Sequence, residues 1–244
     1  MRNPRSNVLP QTERKKLYRG EEYLLSHQGG KITSLLSSTM YSFSIYVELA
    51  LNYLLSSRRS DVNKLLTRNA VFVDIQPTIQ ITSADAGESG SRMLKRHTQD
   101  GESDFPELSW NAVDGAAEYI LICEDPDAPL SDPIVHGLFY EIPASTTTLK
   151  STDFQKSEEG SYMLKGGFKY GKNRRQHVYG GPKPLMNHGE HRYFYQLVAL
   201  KKPLTDLGPY PDKAAMIEKL QQEANILAWG EWVGNYERKL EDFS

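Results

Sequence analysis

The sequence predicts a mainly β protein built on an antiparallel sheet, with helices towards its two ends. Three observations carry this. Compact runs rich in β-branched and aromatic residues, EYILIC, VHGLFYEIP and HRYFYQLVAL, fill the middle of the chain. Helical apolar spacing occurs only towards the two ends. Strand and helix patterns do not alternate, so a parallel sheet of βαβ units is not expected.

In order, residues 1–30 read as a disordered basic tail. Arg2, Arg5, Arg14, Lys15, Lys16 and Arg19 face one acid, Glu13, up to residue 19. That is the charge bias of a mitochondrial transit peptide, but the apolar face is poor, which favours a solvated tail. Residues 31–68 read as a helical extension. Within it, Ile32 to Ser57 carries one charged residue, Glu48. Leu36, Met40, Phe43, Val47, Leu51 and Leu54 step by three or four along one face. Ser37, Tyr41, Ser44, Glu48 and Asn52 line the other. The polar stripe argues against a transmembrane span and for docking on the protein's own core, with membrane-surface contact as the second reading. Ser60 or Asp61 is placed to cap a short helix over Val62–Thr67.

Residues 69–244 read as the β domain. VFVDIQPTIQIT alternates, with Pro77 marking a strand edge or bulge. Residues 83–104 are polar and read as loop, with a strand possible near Arg92–Leu94. Glu118–Cys123, Val135–Pro143 and His191–Leu200 are the principal strands. Asp212 is placed to cap a helix carrying Ile217, Leu220, Ala224 and Leu227, which Gly230 should end. WGEWVGNYERK then reads as a closing strand.

Bulk composition excludes little. With 244 residues and a net charge of −2, no global field calls for nucleic acid. The one cysteine, Cys123, lies in an apolar run and reads as a buried small hydrophobe. It and the missing signal peptide point to a reducing compartment: cytoplasmic, or mitochondrial on the alternative reading of the basic N-terminus.

Several stretches suggest chemistry. Gly166, Gly171 and Lys172 have the spacing of a phosphate loop, but Asn173 stands where Ser or Thr is needed. The adjoining basic run, Lys165 to Arg175, reads as a solvated loop. His188 and His191 are too few for a zinc site on their own, and no metal or cofactor is expected. In DPDAP, each proline holds the residue before it, Asp125 and Ala128, in extended geometry, so Asp125 and Asp127 lie on an extended path and project to the same side at a strand end. That is a strand-ending turn or one wall of a pocket.

DPDAP, the strand histidine in SDPIVHGLFYEIPAS, and GEHRY in YGGPKPLMNHGEHRYFYQLVAL together resemble the phosphatidylethanolamine-binding protein (PEBP) family, also called the Raf-kinase-inhibitor-protein family, in its fungal form. The resemblance covers roughly residues 69–239, strongest from Phe105 to Leu200. It implies a large antiparallel sheet packed on a smaller one with peripheral helices. It also implies a pocket for phosphate or phospholipid headgroups, formed here by Asp125, Asp127, Pro129, His136, His191 and Tyr193, with no established catalysis. Arg192 would pair with a carboxylate, and Tyr236 is a guess for the pocket. Ile134 and Val135 replace the aromatic that mammalian-type members carry before the histidine.

The expected function is therefore binding of small anions or headgroups by a regulatory module that modulates a kinase or protease. The alternatives are a hydrolase using Asp125, His136 and His191, or an interaction scaffold.

Overall fold

The computed structural model describes residues 45–243. The chain divides into two compact units, residues 1–50 and 51–244. The expected tail, the helix start, and Leu36, Met40 and Phe43 lie outside the described residues. Of the first unit, residues 45–50 are helical and continue as α1 to residue 55.

The second unit is mainly β. Its strands are β1 (Ile81–Ser83), β2 (Leu108–Trp110), β3 (Glu118–Asp125), β4 (Ile134–Pro143), β5 (Thr148–Leu149), β6 (Lys169–Tyr170), β7 (His191–Leu200) and β8 (Ile226–Tyr236). A five-stranded antiparallel sheet runs β6-β4-β3-β7-β8, and a three-stranded one runs β1-β2-β5. Helix α2 (Lys213–Glu223) leads into β8.

Strand β3 shows why EYILIC lacks alternation: all its residues are buried. Tyr119, Leu121 and Cys123 face one core, with Tyr195, Leu197 and Trp232 of the large sheet and Leu108 and Trp110 of the small one. Ile120 and Ile122 face a second core under α2, with Leu138, Val198, Met216 and Leu220. A strand covered on both faces needs apolar residues at every position.

Three elements differ from the sequence reading. Val62–Thr67 is not one helix but two 3-10 turns, Val62–Lys64 and Leu66–Arg68, because Leu65 between them turns to ψ 153°. Asp61 caps the first, accepting from the Asn63 N–H. The run 71–82 is strand only from Ile81. Ala70–Phe72 is a 3-10 turn capped by Asn69, and Pro77 makes only an isolated bridge to Trp229. The C-terminal helix stops at Glu223, well before Gly230. Ala224 is left-handed (φ 45°), and the Asn225 side chain accepts from the Lys202 N–H and donates to its carbonyl, so β8 starts at Ile226.

Residues 51–68 are tied to the sheets through Glu124. This fully buried carboxylate accepts from the Leu66 N–H, Gln196 Nε2 and Lys213 Nζ, which supplies the pairing that a buried charge needs.

Strand β8 is last in the large sheet, yet its outer side is occupied. Ile79 N–H donates to the Trp229 carbonyl, Gly90 N–H to Val233 and Met93 N–H to Asn235. Gly230 is glycine because the Ile79 backbone runs against it: a Cβ there would sit 1.9 Å from the Ile79 oxygen.

Within the second unit, Leu51 and Leu54 of the expected apolar stripe are exposed, Asn52 Nδ2 donates to the Asn187 carbonyl and the Leu55 carbonyl meets His188. No helix among the described residues is long and apolar enough to cross a membrane.

Candidate functional site: a histidine-floored cavity

Asp125 ends β3, His136 lies in β4 and His191 opens β7. Because β4, β3 and β7 are neighbours, three residues far apart in sequence meet at one end of the sheet. A cavity of about 280 Å³ opens there.

DPDAP works as a rigid corner. Asp125 Oδ1 accepts from the Asp127 N–H at 2.8 Å, an Asx-type turn that turns the second carboxylate away from the first. Asp125 Oδ2 lies 2.8 Å from His191 Nδ1. A carboxylate only accepts, so Nδ1 carries the proton. His191 Nε2 in turn lies 2.8 Å from His188 Nδ1, and His188 Nε2 contacts the Leu55 carbonyl at 3.1 Å and Arg59 Nη1 at 2.9 Å. Whichever way the protons point, every ring nitrogen of His188 and His191 is spent inside this relay.

His136 differs. Its Nδ1 donates to the Gly180 carbonyl, which leaves Nε2 as the acceptor of a neutral ring. That Nε2 is buried and has no hydrogen-bond partner. Burial holds the His136 pKa below the ordinary histidine value, against the pull of the Asp125 charge. Burial also lowers His188, and the Arg59 charge acts in the same direction against the Leu55 carbonyl. Dry surroundings thus favour His136 as a neutral acceptor.

Both shifts have a consequence for stability. The unfolded histidines titrate near 6.5. The stabilising contribution of His136 and His188 is complete above that pH and is lost as pH falls through about 6.5 towards their lowered folded values. Urea midpoints are expected to drop between pH 7 and pH 5.5, and less so in His136→Phe, which cannot titrate there. An identical pH slope in wild type and variant would refute the assignment.

Of the residues expected at the pocket, Asp125, Pro129, His136 and His191 line the cavity. Asp127 does not. It accepts from the Arg192 backbone N–H, Nε and Nη2 at 2.8, 2.8 and 2.9 Å, and these bonds outweigh burial and hold its carboxyl below the usual range. Arg192 thus takes the carboxylate partner expected of it. Tyr193 lies behind the cavity wall, fully buried, its ring edge-on to His136 at 5.1 Å and its hydroxyl without a partner. Tyr236 packs into the core between the sheets.

The sequence reading missed the other half of the wall. Arg174, Arg175 and Lys183 stand at the mouth, exposed, with Asn173 and Gln99 between them, and Leu51 and Leu55 come from α1. Asn173 holds the basic loop in place by donating to the His136 and His177 carbonyls. The signal is the basic run itself, which from sequence alone reads as a solvated loop. The phosphate-loop spacing has no helix after it: Lys169–Tyr170 is strand β6, followed by irregular chain. No cluster of three or more metal-ligating side chains occurs among the described residues.

Comparison with known proteins fits this architecture. The family model described as phosphatidylethanolamine-binding protein matches residues 82–237. The chain is 36% identical over 197 residues to phomoidride biosynthesis cluster protein B of a fungal species, covering 78% of this chain and 94% of that relative. It is 36% identical over 153 residues to a UPF0098 protein of Aquifex aeolicus, covering 62% and 84%. Among solved structures, a putative PEBP homolog from Chlamydia trachomatis superposes with a TM-score of 0.56 at 25% identity, covering 67% of this chain and 99% of that one.

Proposed function

Because the chain belongs to the phosphatidylethanolamine-binding protein family, we propose that its cavity binds a small anionic group, a phosphate or a phospholipid headgroup, and that the protein acts as a binding module. The observation that carries this is the unpartnered, buried Nε2 of His136 beneath a mouth bearing Arg174, Arg175 and Lys183. An anion arriving there draws a proton onto His136, or brings one as hydrogen phosphate, and so completes the missing hydrogen bond.

The lining chemistry supports binding over turnover. Among the described residues no lining side chain carries a hydroxyl or thiol to serve as nucleophile, and the nitrogens of His191 are committed to Asp125 and His188. A regulatory role, in which the occupied cavity presents a surface to a kinase or protease, extends this reading. Pull-downs with and without saturating ligand test it.

The anion reading predicts a pH dependence with a definite sign. The free His136 pKa is lowered, and a bound anion raises it, so affinity for phosphorylethanolamine falls as pH rises from 5.5 to 8.5. Calorimetry in buffers of different ionisation enthalpy should detect proton uptake on binding. His136→Ala is expected to weaken binding at least tenfold and to remove the pH slope. A flat profile, or binding untouched by the substitution, would sink the proposal.

A further inference from the structure

We propose that the end of α1 makes this cavity selective for an amphiphilic anion, whose charged head meets His136 and whose apolar body lies along Leu51 and Leu55. The inference rests on the anion reading above and adds the chemistry of the rest of the ligand.

Three observations support it. The first is size. The cavity measures about 280 Å³. That is much more than a bare phosphate fills, and it approaches the lower bound, about 300 Å³, for sites that enclose drug-sized molecules.

The second is the split in its lining. Arg174, Arg175 and Lys183 form a cationic mouth, while Leu51, Leu55 and Leu185 contribute apolar surface. No Phe, Tyr or Trp side chain lines the cavity among the described residues, so the apolar body is recognised by aliphatic contact, not by stacking on such a ring.

The third is that the leucines are held in place. The Leu55 carbonyl meets His188 Nε2, and Arg59 Nη2 donates to the His188 carbonyl at 2.7 Å. Ser60 donates from its N–H to the Ala128 carbonyl at 3.0 Å and from its hydroxyl to the Pro126 carbonyl at 2.7 Å. Asn52 reaches the Asn187 carbonyl. These bonds bind the segment directly to DPDAP and to the histidine relay. With its ends fixed, Leu51 is left 42% exposed at the cavity and not packed into a core. Apolar surface held open in a preformed site gains by being covered. Both leucines precede residue 82, where the family model's match begins, so this wall is added to the part of the pocket that the family match covers.

The test is a homologous series of methyl, butyl and hexyl phosphate, with the matching alkanoates to tell a carboxylate head from a phosphate head, titrated into the full chain by calorimetry. Affinity is expected to rise roughly three- to fourfold per added methylene until the cavity is full. In Leu51→Ser/Leu55→Ser that gain should shrink towards onefold per methylene. Leu51→Ser alone, at an exposed position, keeps the test usable if the double variant folds poorly. If methyl phosphate binds and longer chains bind no better, or if the variants keep the wild-type slope, this inference fails while the anion reading stands. If alkanols bind as well as the phosphates and methyl phosphate does not bind, the anion reading fails and takes this one with it.

Discussion

Asp125→Ala is expected to destabilise the protein by about 4 kcal/mol and to abolish anion binding. The carboxylate is buried and serves two donors, the Asp127 N–H and His191 Nδ1. Alanine leaves both unsatisfied in a dry site, at about 1–3 kcal/mol each. It also removes the group that fixes the His191 tautomer, so the relay through His188 to Leu55 loses its orientation. For a protein of this size the loss corresponds to a fall in Tm of roughly 10 °C. Asp125→Asn separates the two effects. Its amide oxygen can still accept from the Asp127 N–H, but its NH2 group faces His191, which must turn its lone pair to meet it. A smaller loss of stability with a reversed His191 tautomer, read by nitrogen NMR, is the expected pattern. An alanine variant within about 1 kcal/mol of wild type would show that the corner is not organised by this carboxylate.

Gly230→Ala should be as damaging, by a different route. The new methyl group would lie 1.9 Å from the Ile79 carbonyl oxygen and 2.8 Å from its carbon. Both are backbone atoms, so no side-chain rotation relieves the clash. Either β8 or the covering segment must move, and the Ile79–Trp229 backbone bond and the Trp229 Nε1 bond to the Ile75 carbonyl go with it. Overpacking of this kind costs about 3 kcal/mol. Gly180→Ala is the control: its Cβ would meet nothing closer than 3.7 Å, and its stability should stay within about 1 kcal/mol of wild type. Paired urea melts of the two variants decide the matter, and equal midpoints would refute the steric account.

The long strands were legible because burial imposed their composition. Tyr119–Cys123 and Leu197–Leu200 are apolar on both faces, and their short length and β-branched and aromatic company mark covered strands. The β8 boundary was not legible, because Leu220, Ala224 and Leu227 continue a helical spacing across a turn set by Ala224 and Asn225. The deciding bonds run from Asn225 to Lys202, which are distant in sequence.

The site was half legible for the same reason. DPDAP and GEHRY advertise themselves through proline geometry and histidine chemistry, whereas Arg174, Arg175, Lys183, Leu51 and Leu55 become pocket residues only through long-range folding. Asp127 and Tyr193 illustrate the reverse: the motif implied six ligand contacts, but the Asx turn spends one of these residues on Arg192, and the sheet pleat sets the other behind His136.

The covered outer side of β8 has a consequence for how copies of this protein meet. A long strand at the end of a sheet is a template for pairing with another chain. Here the carbonyls of Trp229, Val233 and Asn235 and the Asn235 amide are already taken by residues 79, 90, 93 and 91, and the opposite end of the sheet, β6, offers two residues. Neither end can seed stacking of one molecule's strands on the next, so at high concentration copies have no backbone ladder at either end of the large sheet along which to polymerise.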